Sequence, residues 1–284
     1  MPIHDFILTL ACPDRTGIVY NVSGLLLKHQ GNIIDAQQFG DAETGQFFLR
    51  VHFALPDGVG IEQVKTDFVI LAPQFQIQWQ IHDAHKKARI LILVSKQGHC
   101  LNDLLFRVHS KQLNAEIAGI VSNHQDFAQM AKSYDIPFHH LPVTPETKAT
   151  QEAAILAIAK REEIDLVVLA RYMQILSPEL CAALQGKAIN IHHSFLPSFK
   201  GARPYYQAHA RGVKIIGATA HYVTHDLDEG PIIEQDVQRV DHTMSAQDLT
   251  QVGSDIESRV LSRAVSSHVE HRILLNGSKT VVFR

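Results

Sequence analysis

Apolar positions in the first eighty residues recur with two different periods. "DFILTLAC" is a nearly continuous strand-like run. In "TGIVYNVSGLLLKHQG" the apolar residues Ile18, Val19, Val22, Leu25 and Leu26 fall at helical spacing, and Gly31 is placed to close that helix. "NIIDAQQFGD" and "GQFFLRVHFAL" read as an antiparallel pair joined through "AETG". "IEQVKTDFVILAPQF" predicts a second helix, and "QIQWQIH" alternates like a half-exposed strand. The order is β-α-β-β-α-β, with helices on one face of an antiparallel sheet, which predicts an α+β sandwich.

The pattern changes after "DAHKKA", a short polar, basic stretch that reads as a linker. The division is then residues 1–83, a linker at 84–88, and residues 89–284. In the second part "RILILVS" is an almost unbroken apolar strand, as a sheet covered on both faces requires. "EIAGIVSN", "DLVVLA" and "AINIHHS" follow, with helical segments near 101–110, 125–134 and 148–162. Strands alternating with helices predict a doubly wound, mostly parallel sheet in an α/β fold. "GATAHYVT" and "PIIEQDV" come too close together for a crossover, so the last strands are expected to be mixed or antiparallel. "SAQDLTQVGSDIESRVLSRAVSSHV" predicts a long C-terminal helix. There is no internal repeat or low-complexity segment.

The bulk numbers fit this reading. The chain has 284 residues, 45% hydrophobic and 19% charged, which suits a soluble globular protein of one large or two modest domains. A net charge of -3 with mixed signs argues against nucleic acid or an anionic membrane surface as partner. No apolar run approaches the ~20 residues of a membrane span, and "MPIHDFILTLACPD" lacks the basic-then-apolar pattern of a secretory signal. Cys12, Cys100 and Cys181 are far apart and cannot all pair, so a cytoplasmic location is expected. With eighteen histidines, a single His carries little weight.

Two clusters could carry chemistry. In "INIHHSFLPSFKGARPYYQAH" a parallel strand ends in Asn190, His192 and His193, where open sheets hold their ligands. An amide can donate to a developing oxyanion, and an imidazole can donate or move a proton, which suits attack on a carbonyl. A strand end that merely satisfies loop backbone remains an equal reading. In "HYVTHDLDEGPII" the residues His221, His225, Asp226, Asp228 and Glu229 gather on a loop closed by Gly230-Pro231. Carboxylates there can hold a water or poise an imidazole, although acidic turns between strands are common.

Other signals are weaker. Adjacent on a strand, His192 and His193 should point to opposite faces, and no HExxH or paired CxxC is present, so no metal is expected. The first turn of the second part, "SKQGHCLNDLL", has only Gly98, which is poor material for a phosphate cradle. Cys100 reads as a buried structural thiol. In "CPDRTGIV" the residues Asp14, Arg15, Thr16 and Gly17 form a strand-to-helix turn whose N–H groups could receive a carboxylate, or which is a plain helix entry.

Taken together, "INIHHSFLPSFKGARPY" and "HYVTHDLDEGPII" resemble the formyltransferase and formyl-hydrolase superfamily that uses 10-formyltetrahydrofolate. The resemblance implies a catalytic trio of Asn190, His192 and Asp228. It also implies a folate pocket formed by "ARYMQIL" (Arg171, Tyr172, Met173, Gln174, Ile175 and Leu176) with His193, Ser194 and His221. The first part resembles an ACT domain through "CPDRTGIV", which makes it an ACT-like regulatory sandwich. Such a module implies a homo-oligomer, with a tetramer as the specific expectation, and an amino-acid effector (glycine or methionine) at Asp14 to Gly17.

Two departures set the chain apart from the glycinamide ribonucleotide transferases of that superfamily. "KQGHCLND" stands where those proteins carry a phosphate loop, and His193 stands where they usually have proline. The resemblance therefore implies hydrolysis: 10-formyltetrahydrofolate and water give tetrahydrofolate and formate, which feeds purine synthesis and balances the one-carbon pool. Folate is then the substrate, with no cofactor and no metal. The alternative is transfer of the formyl group to an amine acceptor.

Overall fold

A computed structural model describes residues 4–194 and 204–284. The stretch 195–203, which belongs to the first of the two sequence motifs, lies outside the described residues. The chain divides into two compact units, Met1–Lys86 with Glu270–Arg284, and Lys87–Val269.

The first unit opens with β1 (His4–Pro13), α1 (Ile18–Lys28), β2 (Asn32–Asp41), β3 (Gln46–Leu55), α2 (Ile61–Phe75) and β4 (Gln78–Asp83). The sheet order is β2-β3-β1-β4 and every pairing is antiparallel, the ACT-like sandwich expected from the sequence. Alternation along β3 explains its layers. Phe47, Leu49, Val51, Phe53 and Leu55 point into a core shared with Ile18, Val22, Leu26, Val64 and Phe68 of the two helices.

The second unit contains β5 (Ala88–Val94), α3 (His99–His109), β6 (Ala115–Ser122), α4 (Ala128–Ser133), β7 (Phe138–His140), α5 (Lys148–Arg161), β8 (Leu166–Leu169), α6 (Pro178–Ala183), β9 (Ala188–His192), α7 (Pro204–Ala210), β10 (Ile215–Tyr222), β11 (Ile232–Arg239) and α8 (Ala246–Val269). The sheet runs β11-β10-β9-β8-β5-β6-β7. Strands β5 to β9 pair in parallel, and β10 runs antiparallel to both neighbours; the antiparallel β10–β11 pair is the one expected from close spacing. β5 is buried along nearly its whole length (Ile90 to Val94) because both faces are covered. The strand order reverses between β5 and β8, and a parallel sheet opens a crevice at the carboxyl ends of such strands.

The periodicity picks out neither the short elements β7, α6 and α7 nor the end of the chain. α6 nonetheless has a legible start: Ser177 caps it, accepting from the Leu180 N–H at 3.2 Å, and Pro178 follows.

The expectation that residues 89–284 form one domain needs correction at its end. β12 (Ile273–Asn276) and β13 (Lys279–Val282) form a hairpin that groups with the first unit. The reason lies in the second face of β3. Phe48 and Arg50 alternate with the helix-side residues and need cover of their own. Leu274 and Phe283 bury Phe48. Arg50 is 8% exposed, and it donates to the carbonyls of His271 and Glu270 at 3.2 and 3.1 Å. The hairpin turns through Gly277, whose φ of 61° favours glycine.

Candidate active site

Strand pairing fixes the first contacts of the site. β9 and β10 pair so that Asn190 faces His221 and Thr219 faces His192. Directly opposed residues have Cβ atoms only ~5 Å apart, close enough for short side chains to meet. His221 Nδ1 donates to the Tyr222 carbonyl at 2.9 Å. In a neutral ring Nε2 is then the acceptor, and Asn190 Nδ2 donates to it at 3.3 Å. This uses one of the two amide N–H bonds of Asn190.

The loop after β10 brings in the carboxylate. It leaves the sheet beside Ala188 (Val223 N–H to Ala188 carbonyl, 2.9 Å) and returns where the Tyr222 N–H donates to the Pro231 carbonyl at 2.9 Å. A Cβ at Gly230 would overlap the Tyr222 carbonyl oxygen, so this closure requires glycine. Asp228 itself is left-handed, with φ of 60°. In that pose its Oδ2 accepts from His192 Nδ1 at 3.2 Å, and its Oδ1 lies 3.7 Å from His221 Nε2. Burial alone would raise the Asp228 pKa. The hydrogen bond from His192, with the His221 ring close by, outweighs it and holds the carboxyl far below its usual range.

His192 is fixed at both nitrogens, because the Ser194 hydroxyl donates to its Nε2 at 2.9 Å. The rings of His192 and His193 stack, with centroids 4.8 Å apart and planes at 21°. The expectation that they point to opposite faces is therefore corrected. β9 ends at His192, so His193 lies past the strand and escapes its alternation. Burial, with Arg171 and His192 nearby, lowers the His193 pKa from 6.5 to about 4, so the ring is neutral at pH 7.

A cavity of about 300 Å³ gathers Asn190, His192 and Asp228 with Arg171, Tyr172, Met173, Gln174, Ile175, Leu176, His193 and His221. Every expected pocket residue among the described ones lines it except Ser194, which is buried behind His192 and works on that ring instead. Burial pushes the Tyr172 phenol up to about 12, and Gln151 donates to its oxygen at 2.6 Å. Val223, Thr224, Asp226 and Leu227 also form wall, and the sequence reading did not assign them to it.

A polar lattice supports the strand β8 side. Arg171 has φ of 63° and is 6% exposed. Its carbonyl accepts from the Ser95 N–H at 3.2 Å, its Nε donates to Gln97 at 2.8 Å, and Nε lies 3.5 Å from Glu257. The Ser95 hydroxyl receives the Met173 N–H at 3.0 Å. Glu257, fully buried on α8, also accepts from Tyr205 and His99 at 2.5 and 2.6 Å. A glutamate on the apolar face of a helix, one turn after Gly253 and one before Leu261, was the signal that would have revealed it. A Cβ at Gly253 would collide with the Tyr205 ring, so that glycine lets Tyr205 reach Glu257.

His99, Cys100 and Glu257 place one possible metal-ligand atom each within 4.8 Å of one another. Both Glu257 oxygens are already engaged, and burial together with the Glu257 charge pushes the Cys100 thiol up, which keeps it protonated. In the first unit, Gly17 precedes α1 with φ of 94°, and Asp14, Arg15, Thr16 and Gly17 are all exposed. The Arg15 guanidinium lies 4.3 Å from the centre of the Phe75 ring.

Residues 88–265 match the family model for formyl transferase. The chain is 50% identical over 281 residues to a formyltetrahydrofolate deformylase of Corynebacterium sp. (strain P-1), covering 98% of each chain. It superposes with a TM-score of 0.95 on the crystal structure of formyltetrahydrofolate deformylase from Burkholderia mallei ATCC 23344, at 52% identity over 99% of this chain and 100% of that one. The crystal structure of glycinamide ribonucleotide transformylase 1 from Symbiobacterium toebii matches with a TM-score of 0.66 and 28% identity, covering 72% of this chain and 97% of that one.

Proposed function

The chain belongs to the formyltetrahydrofolate deformylases within the formyl transferase family, and from that membership we propose that it hydrolyses 10-formyltetrahydrofolate to tetrahydrofolate and formate. The observation that carries the reading is the seating of Asn190, His192 and Asp228 around one cavity, with the carboxylate held ionised against the imidazole.

Water adds to the formyl carbon and its oxygen becomes negative. Asn190 keeps a second amide N–H for that oxygen, and His192 supports it as charge builds. A carboxyl with so low a pKa is a weak base, so Asp228 acts by orienting the water and by stabilising His192 when the ring takes up a proton. That proton passes to the leaving nitrogen as the C–N bond breaks, releasing tetrahydrofolate and formate. The wall from Arg171 to Leu176 receives the pterin. Residues of this chain suffice for each step, so neither metal nor cofactor enters.

Transfer to an amine acceptor is the less favoured reading, since the relatives that match the chain from end to end carry the deformylase name. We place the enzyme in the cytoplasm, which three unpaired, buried cysteines support, and its formate in purine synthesis. Among the described residues no helix is long and apolar enough to cross a membrane. The ACT-like unit gives a homo-oligomer, tetrameric in our reading, with glycine or methionine as effector. The exposed Asp14 to Gly17 turn, at an α1 start with no side-chain cap, supports a carboxylate there.

The test is formate release from 10-formyltetrahydrofolate with no acceptor added. Release at full rate is expected. Turnover that appears only on adding an amine would transfer the assignment to the rival reaction.

A further inference from the structure

A second cavity, of about 370 Å³, adjoins the catalytic one and shares Arg171, Met173, Gln174 and His193 with it. Its chemistry is different. Ser95, Lys96, Gln97, Asn123 and His124 line it, and no Asp or Glu occurs among its described lining residues. The catalytic cavity, by contrast, carries Asp226 and Asp228. Lys96 is exposed at the wall, and Arg171 is 6% exposed beneath it. The Arg171 charge is balanced from below by Glu257, so Lys96 leaves the cavity net positive.

Two atoms at the junction lack partners among the described residues: Arg171 Nη1 and His193 Nε2 are buried and make no hydrogen bond there. A buried donor without an acceptor is destabilising, so Arg171 Nη1 favours a ligand that accepts. Guanidinium N–H groups fit a planar carboxylate best.

The reaction proposed above makes such a ligand beside His192, and the His193 ring, stacked on His192, stands between that point and the second cavity. We propose that the second cavity is a binding and exit site for product formate, which moves past His193 toward Arg171 and Lys96 while tetrahydrofolate occupies the first cavity. This rests on the hydrolytic reading. It predicts that formate and the folate bind at the same time.

The experiment measures turnover of the full-length enzyme with sodium formate, sodium nitrate or inorganic phosphate, each balanced with chloride to constant ionic strength. Formate and nitrate should inhibit noncompetitively against 10-formyltetrahydrofolate. Competitive inhibition would place formate in the catalytic cavity and overturn the proposal. Phosphate binding more tightly than formate would assign the cavity to a phosphorylated ligand and overturn it as well. Ser254 also lines the second cavity, so Ser254→Asp adds a carboxylate to its wall and should raise the formate inhibition constant about tenfold, equivalent to ~1.4 kcal/mol, with kcat/KM within about threefold of the parent. Lys96→Met, at an exposed position, should raise it about threefold through loss of one attractive charge. Unchanged inhibition constants in both variants would refute the site. Saturation-transfer NMR with ¹³C-formate on resting enzyme reads binding without turnover. Signal from the parent enzyme that fades in Ser254→Asp supports the site even if hydrolysis fails its own test, and no signal from an enzyme that does release formate sinks this proposal alone.

Discussion

Asp228→Asn keeps the shape of the side chain and removes its charge. The carboxylate faces His192 Nδ1 at 3.2 Å and His221 Nε2 at 3.7 Å. A hydrogen bond to a charged group contributes ~1.5–3 kcal/mol, and the His192 contact is the one that strengthens as the ring becomes cationic. Loss of water orientation adds a second contribution of similar size, so the combined effect is ~3–6 kcal/mol, or about 10²–10⁴ in kcat. With folate placed, as proposed, mainly against the cavity wall from Arg171 to Leu176, KM should change by less than about threefold. Steady-state formate release, with folate binding followed by fluorescence quenching, separates the two quantities. An Asp228→Asn enzyme that binds folate and turns over within about threefold of the parent would refute the role given to this carboxylate.

Gly230→Ala should lower kcat strongly with little loss of helix signal in circular dichroism, because the new Cβ meets the Tyr222 carbonyl and displaces the Asp228 loop; a variant of parental activity would show that the loop is not held this way. Acid should destabilise the catalytic unit in a defined window. The pKa of His193 falls from 6.5 to about 4 on folding, so the unfolded chain binds the proton more readily. The related stability, ~3 kcal/mol at most, is complete above pH 6.5 and is lost as pH falls toward 4. His193→Gln should flatten that slope in urea titrations, and an unchanged slope would contradict a buried neutral ring. Dialysis against a strong chelator should leave formate release unchanged; loss that zinc or iron restores would favour a metallohydrolase and direct attention to His99, Cys100 and Glu257.

Much of this architecture was legible in the sequence. Long periodic segments such as α2 and β5 gave their positions to within a residue or two, since burial of one helix face or of both sheet faces leaves an unmistakable spacing. Short elements did not, because three-residue β7 and six-residue α6 are too brief for a period to register. The C-terminal hairpin had a local signal, Asn276-Gly277 between apolar pairs, but its place in the first unit depends on Phe48 and Arg50, more than two hundred residues earlier. The resemblance named Asn190, His192 and Asp228 together, and the β9–β10 register with the Gly230 closure explains how residues so far apart in sequence meet. Ser194 and Glu257 escaped for opposite reasons. Ser194 was expected in the pocket and supports His192 instead, and Glu257 was not singled out although it lies on the apolar face of α8, where it is fully buried.

In the proposed reaction water, held by Asp228 and His192, is the acceptor of the formyl group. Hydrolysis in ¹⁸O-labelled water, with the formate analysed by mass spectrometry after a single turnover, traces that oxygen. One heavy oxygen is expected in every formate formed. Formate free of label, or label-free formyl groups recovered on an amine, would contradict it.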